Sequence, residues 1–278
     1  MAELKPILEG GLRTKGIAPP GGAPLVSIVT VVYNGAATLE RTIRSVLEQD
    51  HPAIEYIIVD GGSTDGTLDL IRRYEDRIAY WISAKDKGIY DAMNKGVSLC
   101  TGEWTALINA DDWYAKGAVS RVMHAVADKP RVNIVHGDIL IHYPTGIERI
   151  KRARLSGFLL KHWEMVLNHP SFFVRSSYYK GRPFDAAFRV SGDHQWTLRA
   201  WLHDASQFLY LPEVLAHFTA GGASMTIPLR KVLREGRAVS RSVGMGPVGV
   251  FTGQLVRTAL YVPQYLKLMA NQYFGPRG

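Results

Sequence analysis

Hydrophobic residues in the first half of the chain follow two alternating patterns. Continuous apolar runs, typical of strands buried on both faces, occupy 25–33, 54–60, 78–83, 104–109 and 132–141. Stretches with apolar residues at helical spacing lie between them or directly after, at 37–49, 66–76, 89–99 and 116–128. Strands that alternate with helices in this way predict an α/β fold with a mostly parallel, twisted sheet flanked by helices.

The pattern also divides the chain into three regions. Residues 1–24 are rich in Gly and Pro and predict a flexible lead-in, and residues 25–226 form the α/β domain. Residues 227–278 predict a basic, amphipathic helical extension, with one helix over 228–241 and a second over 251–274 that Pro263 would kink.

Polar residues cluster where the predicted strands end. Because ligands of parallel sheets bind beyond the carboxyl ends of the strands, these residues are expected to form one neighbourhood. They are Tyr33 and Asn34, Asp60, Lys85 and Asp86, and the adjacent pair Asp111 and Asp112.

The chemistry of this neighbourhood is constrained by what the sequence lacks. No Gly-x-Gly-x-x-Gly follows the first strand, and no Gly-x-x-x-x-Gly-Lys-Ser/Thr occurs, so neither common backbone cradle for phosphates is present. A bound diphosphate would then be neutralised through a divalent cation, and paired carboxylates suit Mg²⁺ or Mn²⁺. A solvated turn or a helix cap is the alternative explanation of Asp111 and Asp112.

Composition excludes several classes of protein. The single cysteine, Cys100, excludes an internal disulfide framework and a Cys-rich zinc site. The first residues lack the apolar core of a secretion signal, and no apolar run is long enough to span a bilayer, so we expect a cytoplasmic protein.

Positive charge is concentrated in the C-terminal extension. Residues 228–278 hold eight Lys or Arg and one acid, Glu235, which accounts for +7 of the formal net charge of +8. Basic residues among Tyr, Phe and Leu are compatible with peripheral contact to the inner leaflet of a membrane, and a lipid-linked saccharide would then be a suitable acceptor. Packing on the catalytic domain or on a second copy in a homodimer is the alternative. No nucleic-acid-binding motif accompanies the charge.

Four segments, in order, resemble one known family. SIVTVVYNGAATLERTIRSVLEQ, IEYIIVDGGSTDGT, KDKGIYDAMNKG and TGEWTALINADD are similar to the N-terminal half of family 2 glycosyltransferases of the GT-A fold. A looser similarity continues through HPSFFVR, SGDHQWTLRA and HFTAGGAS. The resemblance implies a nucleotide-sugar-binding half over 25–113 and an acceptor half over 114–226.

The resemblance also assigns roles to particular residues. The donor-binding residues it implies are Thr30, Tyr33, Asp60, Lys85, Asp86, Asn94 and Asp111. Asp112 matches the metal-binding acid, with Asp111 beside it, and His217 lies where some enzymes of this fold place a late metal-binding histidine. Asp193 matches the general base.

Simpler explanations exist for several of these residues. Asp193 could cap the helix that follows it, and Asp60 could serve only its turn. His169 could serve the acceptor side or only bond the backbone, and Trp113 and Trp163 are the aromatic residues expected nearest a sugar ring.

Two positions depart from the family pattern. Asn109 stands where a third acid is common, and Met93 stands where an arginine is common. The loss of the arginine leaves Lys85 or Lys87 as partners of the diphosphate.

The sequence therefore predicts a metal-dependent, inverting glycosyltransferase. Its donor would be a UDP-, GDP- or dTDP-sugar, and its acceptor a saccharide in surface polysaccharide or glycolipid biosynthesis. The alternatives are a sugar-phosphate nucleotidyltransferase and a binding protein that kept the fold without activity.

Overall fold

A computed structural model describes residues 7–154, 156–221 and 228–274 of the protein, with side chains in the last helix described up to residue 263. The strands are β1 (Leu8–Gly10), β2 (Val26–Val32), β3 (Ile54–Asp60), β4 (Tyr80–Ser83), β5 (Trp104–Asn109), β6 (Trp113–Tyr114), β7 (Ile134–His142), β8 (Glu148–Lys151), β9 (Phe173–Arg175) and β10 (Phe208–Thr219). The α-helices are α1 (Leu39–Leu47), α2 (Thr67–Arg73), α3 (Ile89–Leu99), α4 (Ala118–Val126), α5 (Gly157–His162), α6 (Ser176–Lys180), α7 (Gly192–His203), α8 (Leu229–Ser242) and α9 (Pro247–Phe274).

These strands form one sheet in the order β1-β4-β3-β2-β5-β9-β7-β10-β6, with β8 paired to β7. Neighbours within β4-β3-β2-β5 are parallel, and so are β7 and β10. Apolar residues of α1, α2 and α4 pack on one face, and those of α3, α5, α6, α7 and α8 pack on the other. The predicted mostly parallel sheet flanked by helices is confirmed.

Antiparallel pairing occurs in the middle of the sheet, as well as at its edges, and there it involves a strand that the hydrophobic pattern did not predict. β9 lies between β5 and β7 and is antiparallel to both. Three residues are too few to show a strand period, and the order of strands depends on contacts distant in sequence.

Part of the segment for which composition predicted a flexible lead-in forms regular structure, a strand over Leu8–Gly10 and a 3-10 helix over Leu12–Lys15. β1 pairs antiparallel with β4, and Arg13 forms an ion pair with the buried Glu55. Gly10 lies against the Trp81 ring, where an added Cβ would be 2.7 Å from ring atoms. Glycine here permits close packing, which is why a linker-like composition accompanies ordered structure.

Strand register places the predicted polar residues at one edge. Val32 of β2 is opposite Asp60, and Asp60 is opposite Ser83 of β4. On the other side of β2, Val31 is opposite Asn109, the last residue of β5. The carboxyl ends of four adjacent strands therefore meet.

The C-terminal extension consists of α8 and α9 packed on the acceptor half. Arg257 of α9 is 1 % exposed and donates from Nε to the Trp163 carbonyl (2.9 Å), and Tyr261 donates to Glu164 (2.6 Å). α9 continues through Pro263 as one helix. Within the described residues, no helix combines the length and the apolarity that a membrane span requires.

Candidate active site at the strand ends

The loops that follow β2 and β3 are held together by polar contacts. Asn34 has a left-handed backbone (φ 51°), and its side-chain oxygen accepts from the Thr64 amide at 2.9 Å. The Gly35 amide donates to Thr67 Oγ1 at 2.9 Å. The polar run after β3 thus fixes the path of the chain between β2 and α1.

Asp60 is at the predicted edge, but its carboxylate already accepts hydrogen bonds from the turn that follows it and from β4. The side chain is fully buried and accepts from Ser83 Oγ (2.6 Å), from the Gly62 amide (3.2 Å) and from Ser63. Those bonds fix the turn that begins with Gly61.

Tyr33 and Asp86 converge on this turn. An added Cβ at Gly61 would lie 2.6 Å from Asp86 Oδ2 and 3.3 Å from Tyr33 Cδ2. Tyr33 is 66 % exposed, and the neighbouring Lys85 is exposed as well. An aromatic ring, a carboxylate and a backbone without a side chain form a surface that suits a planar heterocycle with hydrogen-bond donors.

Two of the predicted donor-binding residues point elsewhere. Thr30 is fully buried inside the sheet, with its Oγ1 3.0 Å from the hydroxyl of Tyr56. Asn94 bonds the backbone of Phe184 with both amide atoms, at 2.8 and 2.9 Å. The structure therefore does not bring Thr30 and Asn94 to the strand-end surface.

Asp112 of the acid pair and Asn109 at the end of β5 each have a buried side-chain oxygen without a hydrogen-bond donor among the described residues. Asp112 is fully buried; its Oδ1 accepts from the Thr219 amide at 3.1 Å, whereas Oδ2 has no hydrogen-bond partner among the described residues. The side-chain oxygen of Asn109 is likewise buried without a described partner. Oxygens that only accept, buried without donors, are costly unless a cation neutralises them.

The pKa shifts of Asp111 and Asp112 agree with the need for a cation at this pair. Burial raises the pKa of Asp112 well above its usual range, and the charge of Asp111 adds to the rise; the Thr219 amide, Arg41 and Asn109 oppose it. Burial also raises the pKa of Asp111, against Arg41. The carboxylates are thus poorly compensated by the protein alone, and oxygen ligands of this type suit Mg²⁺ or Mn²⁺.

His217 is not brought to the acid pair in a three-ligand arrangement. In the part of the chain that the structure describes, no group of three His, Cys, Asp or Glu could hold a metal ion. His217 stacks on Trp113 (centroids 4.9 Å apart), and its Nδ1 lies 2.9 Å from Nε2 of His142. Burial lowers the pKa of His217.

Arg41 of α1 is a residue that the sequence analysis missed. Its Nη2 donates to the Asp111 carbonyl (3.1 Å) and to Thr219 Oγ1 (3.0 Å), and its guanidinium lies 3.5 Å from the Trp113 ring centroid. Arg41 is the cation nearest the acid pair in the contacts described. In sequence it is one of several charges on the polar side of an amphipathic helix, so no local pattern distinguished it.

The Trp113 ring, which was expected to face a sugar ring, is in contact with side chains of the protein. Arg41, His142 and His217 all contact its ring. A groove of about 610 Å³ runs beside it, lined by Glu40, Arg41, Arg44, Ser45, Glu48, Gln49, Trp113, Tyr114, Ala115, Lys116 and His217. Neither Asp111 nor Asp193 lines this groove, so it lies beside the strand-end site. Trp163, the other tryptophan expected near a sugar ring, has a buried ring nitrogen without a partner among the described residues.

Asp193 lies in the first turn of α7, beside Tyr90 of α3. Its Oδ1 accepts from the His194 amide (2.8 Å) and lies 3.2 Å from the Tyr90 hydroxyl. Nearby, His169 is 6 % exposed, and its Nε2 has no partner in the described ranges. Burial lowers the pKa of His169, and the charge of Asp193 opposes the change.

Comparison with known proteins agrees with the family resemblance of the sequence. A family model described as "Glycosyl transferase family 2" matches residues 27–186. A "PGL/p-HBAD biosynthesis glycosyltransferase" of Mycobacterium bovis (strain BCG / Pasteur 1173P2) is 30% identical over 218 residues, covering 77% of this chain and 84% of that protein. The "putative teichuronic acid biosynthesis glycosyltransferase TuaG" of Bacillus subtilis (strain 168) is 36% identical over 109 residues, covering 38% of this chain and 43% of that protein.

A solved structure shares the fold. The mannosyltransferase PcManGT of Pyrobaculum calidifontis, in complex with GDP-Man and Mn²⁺, superimposes with a TM-score of 0.62 at 20% identity. The match covers 94% of this chain and 79% of that one.

Proposed function

The chain belongs to glycosyltransferase family 2, and from that membership we propose that it is an inverting, metal-dependent transferase acting on a nucleotide-sugar. One observation carries the metal dependence. Among the residues that the structure describes, Asp112 Oδ2 and the Asn109 side-chain oxygen are buried without donors where the strand ends meet. GDP-Man and Mn²⁺ in the mannosyltransferase of the same fold support both the donor class and the cation.

On the donor side, Tyr33 and Asp86 would hold the nucleobase against Gly61. The exposed ring of Tyr33 offers a stacking face, and the Asp86 carboxylate accepts hydrogen bonds from base N–H groups. Asp60 would act through its turn, since Ser63 and Ser83 already occupy its oxygens. Lys85 is an exposed cation at the same edge and is available to the diphosphate.

The acid pair would hold the divalent cation, with Asp112 as its main protein ligand and Asp111 beside it. When bound, such an ion neutralises charge that develops on the departing diphosphate. Arg41 donates to the Asp111 carbonyl and to Thr219 Oγ1, and these bonds hold the segment that carries the two acids in place.

On the acceptor side, Asp193 would take the proton of the attacking hydroxyl. Tyr90 and the His194 amide orient its carboxylate through Oδ1. Attack from this side, opposite the departing diphosphate, inverts the anomeric carbon and requires no covalent intermediate.

Nucleotide binding with and without metal tests the donor assignment. We expect one of UDP, GDP or dTDP to raise the Tm of the protein in the presence of Mn²⁺ and much less without it, because ligands that bind the native state stabilise it. Differential scanning fluorimetry with AMP as the control nucleotide measures the shift. A metal-independent rise, or no rise with any nucleotide, would contradict the assignment.

We propose further that α8 and α9 dock on an anionic membrane surface and that the acceptor is a lipid-linked or surface saccharide. Apolar side chains project from α9: Val248 is 79 %, Phe251 64 % and Leu255 55 % exposed. Phe251 and Leu255 line a groove of about 520 Å³ together with Arg237 and Arg241 of α8. Apolar residues flanked by arginines match the interface of an anionic bilayer. TuaG is named for the biosynthesis of teichuronic acid, and the mycobacterial relative for the biosynthesis of PGL/p-HBAD.

Vesicle flotation tests the docking surface. We expect the protein to bind phosphatidylglycerol vesicles and not phosphatidylcholine vesicles. The double variant Phe251→Ser/Leu255→Ser should bind about 10-fold more weakly or worse, because each buried side chain is worth about 1.5–3 kcal/mol. Phe158→Ser, which removes an exposed apolar ring (59 %) from α5, is the control. Equal flotation of all three proteins, or of wild type with both lipids, would exclude this surface.

A further inference from the structure

The single acid of the C-terminal extension is buried and binds a loop of the acceptor half. Glu235 is 8 % exposed. Its Oε2 accepts from the amides of Val190 (3.0 Å) and Ser191 (2.9 Å), and its Oε1 accepts from the Arg189 amide (3.3 Å). Three consecutive backbone donors are thus satisfied by one carboxylate from α8.

The three amides belong to the residues directly before α7. The Ser191 side chain makes no capping bond; within α7 itself, the Asp193 side chain accepts from the His194 amide. Glu235 supplies a negative charge at this end of the helix, where unsatisfied N–H groups and the helix dipole favour an anion. An acid about forty residues away in sequence therefore binds the amide of the N-cap residue Ser191 and the two amides before it, and so holds the segment that leads into α7.

The same loop is held from the opposite side by α3. The Tyr90 hydroxyl donates to the Val190 carbonyl at 2.6 Å and lies 3.2 Å from Asp193 Oδ1. Gly192 lies against the Tyr90 ring, where an added Cβ would be 2.6 Å away. Asp193 is therefore the next residue after a segment that is fixed on one side by Glu235 and on the other by Tyr90.

We propose that Glu235 is a positioning residue for the transfer reaction, which fixes the start of α7 so that the Asp193 carboxylate faces the acceptor hydroxyl. This inference rests on the proposed function. It makes α8 a part of the acceptor side of the site, although α8 contributes no group to the chemistry. A displacement of about 1 Å at a reacting group costs on the order of 10²-fold in rate, so a bond that fixes the segment next to Asp193 has a large effect on kcat.

A matched control exists at Glu164, in the loop after α5. Glu164 accepts from Tyr261 of α9 at 2.6 Å and also ties the extension to the acceptor half, and its described hydrogen bond is not to residues 189–191. If Glu235 only held the extension in place, loss of either tie would have the same consequence. Glu164→Gln therefore separates positioning from stability.

The experiment compares Glu235→Gln, Glu235→Asp and Glu164→Gln with wild type in a transfer assay. Glutamine keeps the size of the side chain, but its NH₂ group faces backbone donors. We expect Glu235→Gln to lose about 10–100-fold in kcat with donor KM changed less than about 3-fold, since only transition-state alignment is affected. Glu235→Asp keeps the charge on a shorter chain and should restore part of the rate. Glu164→Gln should lower Tm and leave kcat near wild type.

The outcomes are distinguishable. A kcat for Glu235→Gln within about 2-fold of wild type, or an equal loss in Glu164→Gln, overturns the positioning role. A loss confined to donor KM overturns it as well. A wild-type protein that binds no nucleotide overturns the proposed function instead. Amide hydrogen exchange at 189–195 then still decides whether Glu235 fixes the start of α7, through faster exchange in Glu235→Gln than in Glu164→Gln.

Discussion

Asp112→Asn should abolish sugar transfer and at the same time stabilise the metal-free protein. The carboxylate is fully buried, and Oδ2 finds no donor among the described residues. Asparagine keeps an oxygen for the Thr219 amide and removes the buried charge. Relief of an unsatisfied buried polar group is worth about 1–3 kcal/mol. Loss of the group that would hold the cation should cost about 10²–10³-fold in kcat or more.

Two measurements check this expectation. In the metal-free protein, the Tm of Asp112→Asn should exceed that of wild type by a few degrees. With Mn²⁺ and nucleotide, the Tm of wild type should rise and that of the variant should stay unchanged. Asp128→Asn, at an exposed acid after α4, is the control and should behave as wild type. Retained activity, or a variant less stable than wild type without metal, would contradict the metal role.

Asp193→Asn should lower kcat by about 10²–10⁴-fold, the usual contribution of a general base. The amide oxygen can still accept from Tyr90 and from the His194 amide, so the geometry of the turn is kept. An amide cannot take a proton from the acceptor hydroxyl. Asparagine and aspartate cap helices about equally well, so the variant also separates the base from a simple cap.

A transfer assay with saturating donor, together with nucleotide affinity by calorimetry, checks the second expectation. Nucleotide affinity should stay at the wild-type value, because the donor side is untouched. Asp204→Asn, at the opposite end of α7, is the matched control: this acid bonds Ser206 and lies outside the site. If Asp193→Asn transfers sugar at the wild-type rate, Asp193 is only a cap.

The strand-end neighbourhood is the part of the site that could be predicted well. β2, β3 and β5 were recognisable because each is a continuous apolar run followed by polar residues, and parallel pairing then places their ends together. The expected nearness of Tyr33, Asp86 and the acid pair follows from that topology. Hydrophobic pattern and topology together thus identify an edge of the sheet.

The direction of individual side chains could not be predicted from the same pattern. Thr30 and Asn94 are in the expected segments, but Tyr56 and Phe184 bind them. Each was assigned by similarity of sequence position, which does not specify the hydrogen-bond partner. Arg41 escaped notice for the converse reason, since only its contact with the Asp111 carbonyl distinguishes it from other helix-surface charges.

The amino-acid sequence alone determined the alternation of strands and helices, the parallel sheet and the positions of its acidic ends, because burial and backbone preference are encoded within windows of a few residues. Only the tertiary structure decided that β9 enters the sheet between β5 and β7, that Gly10 packs on Trp81, and that Glu235 closes on the residues before α7. Such contacts join segments tens of residues apart, and their free energy exists only when the whole chain has folded around them.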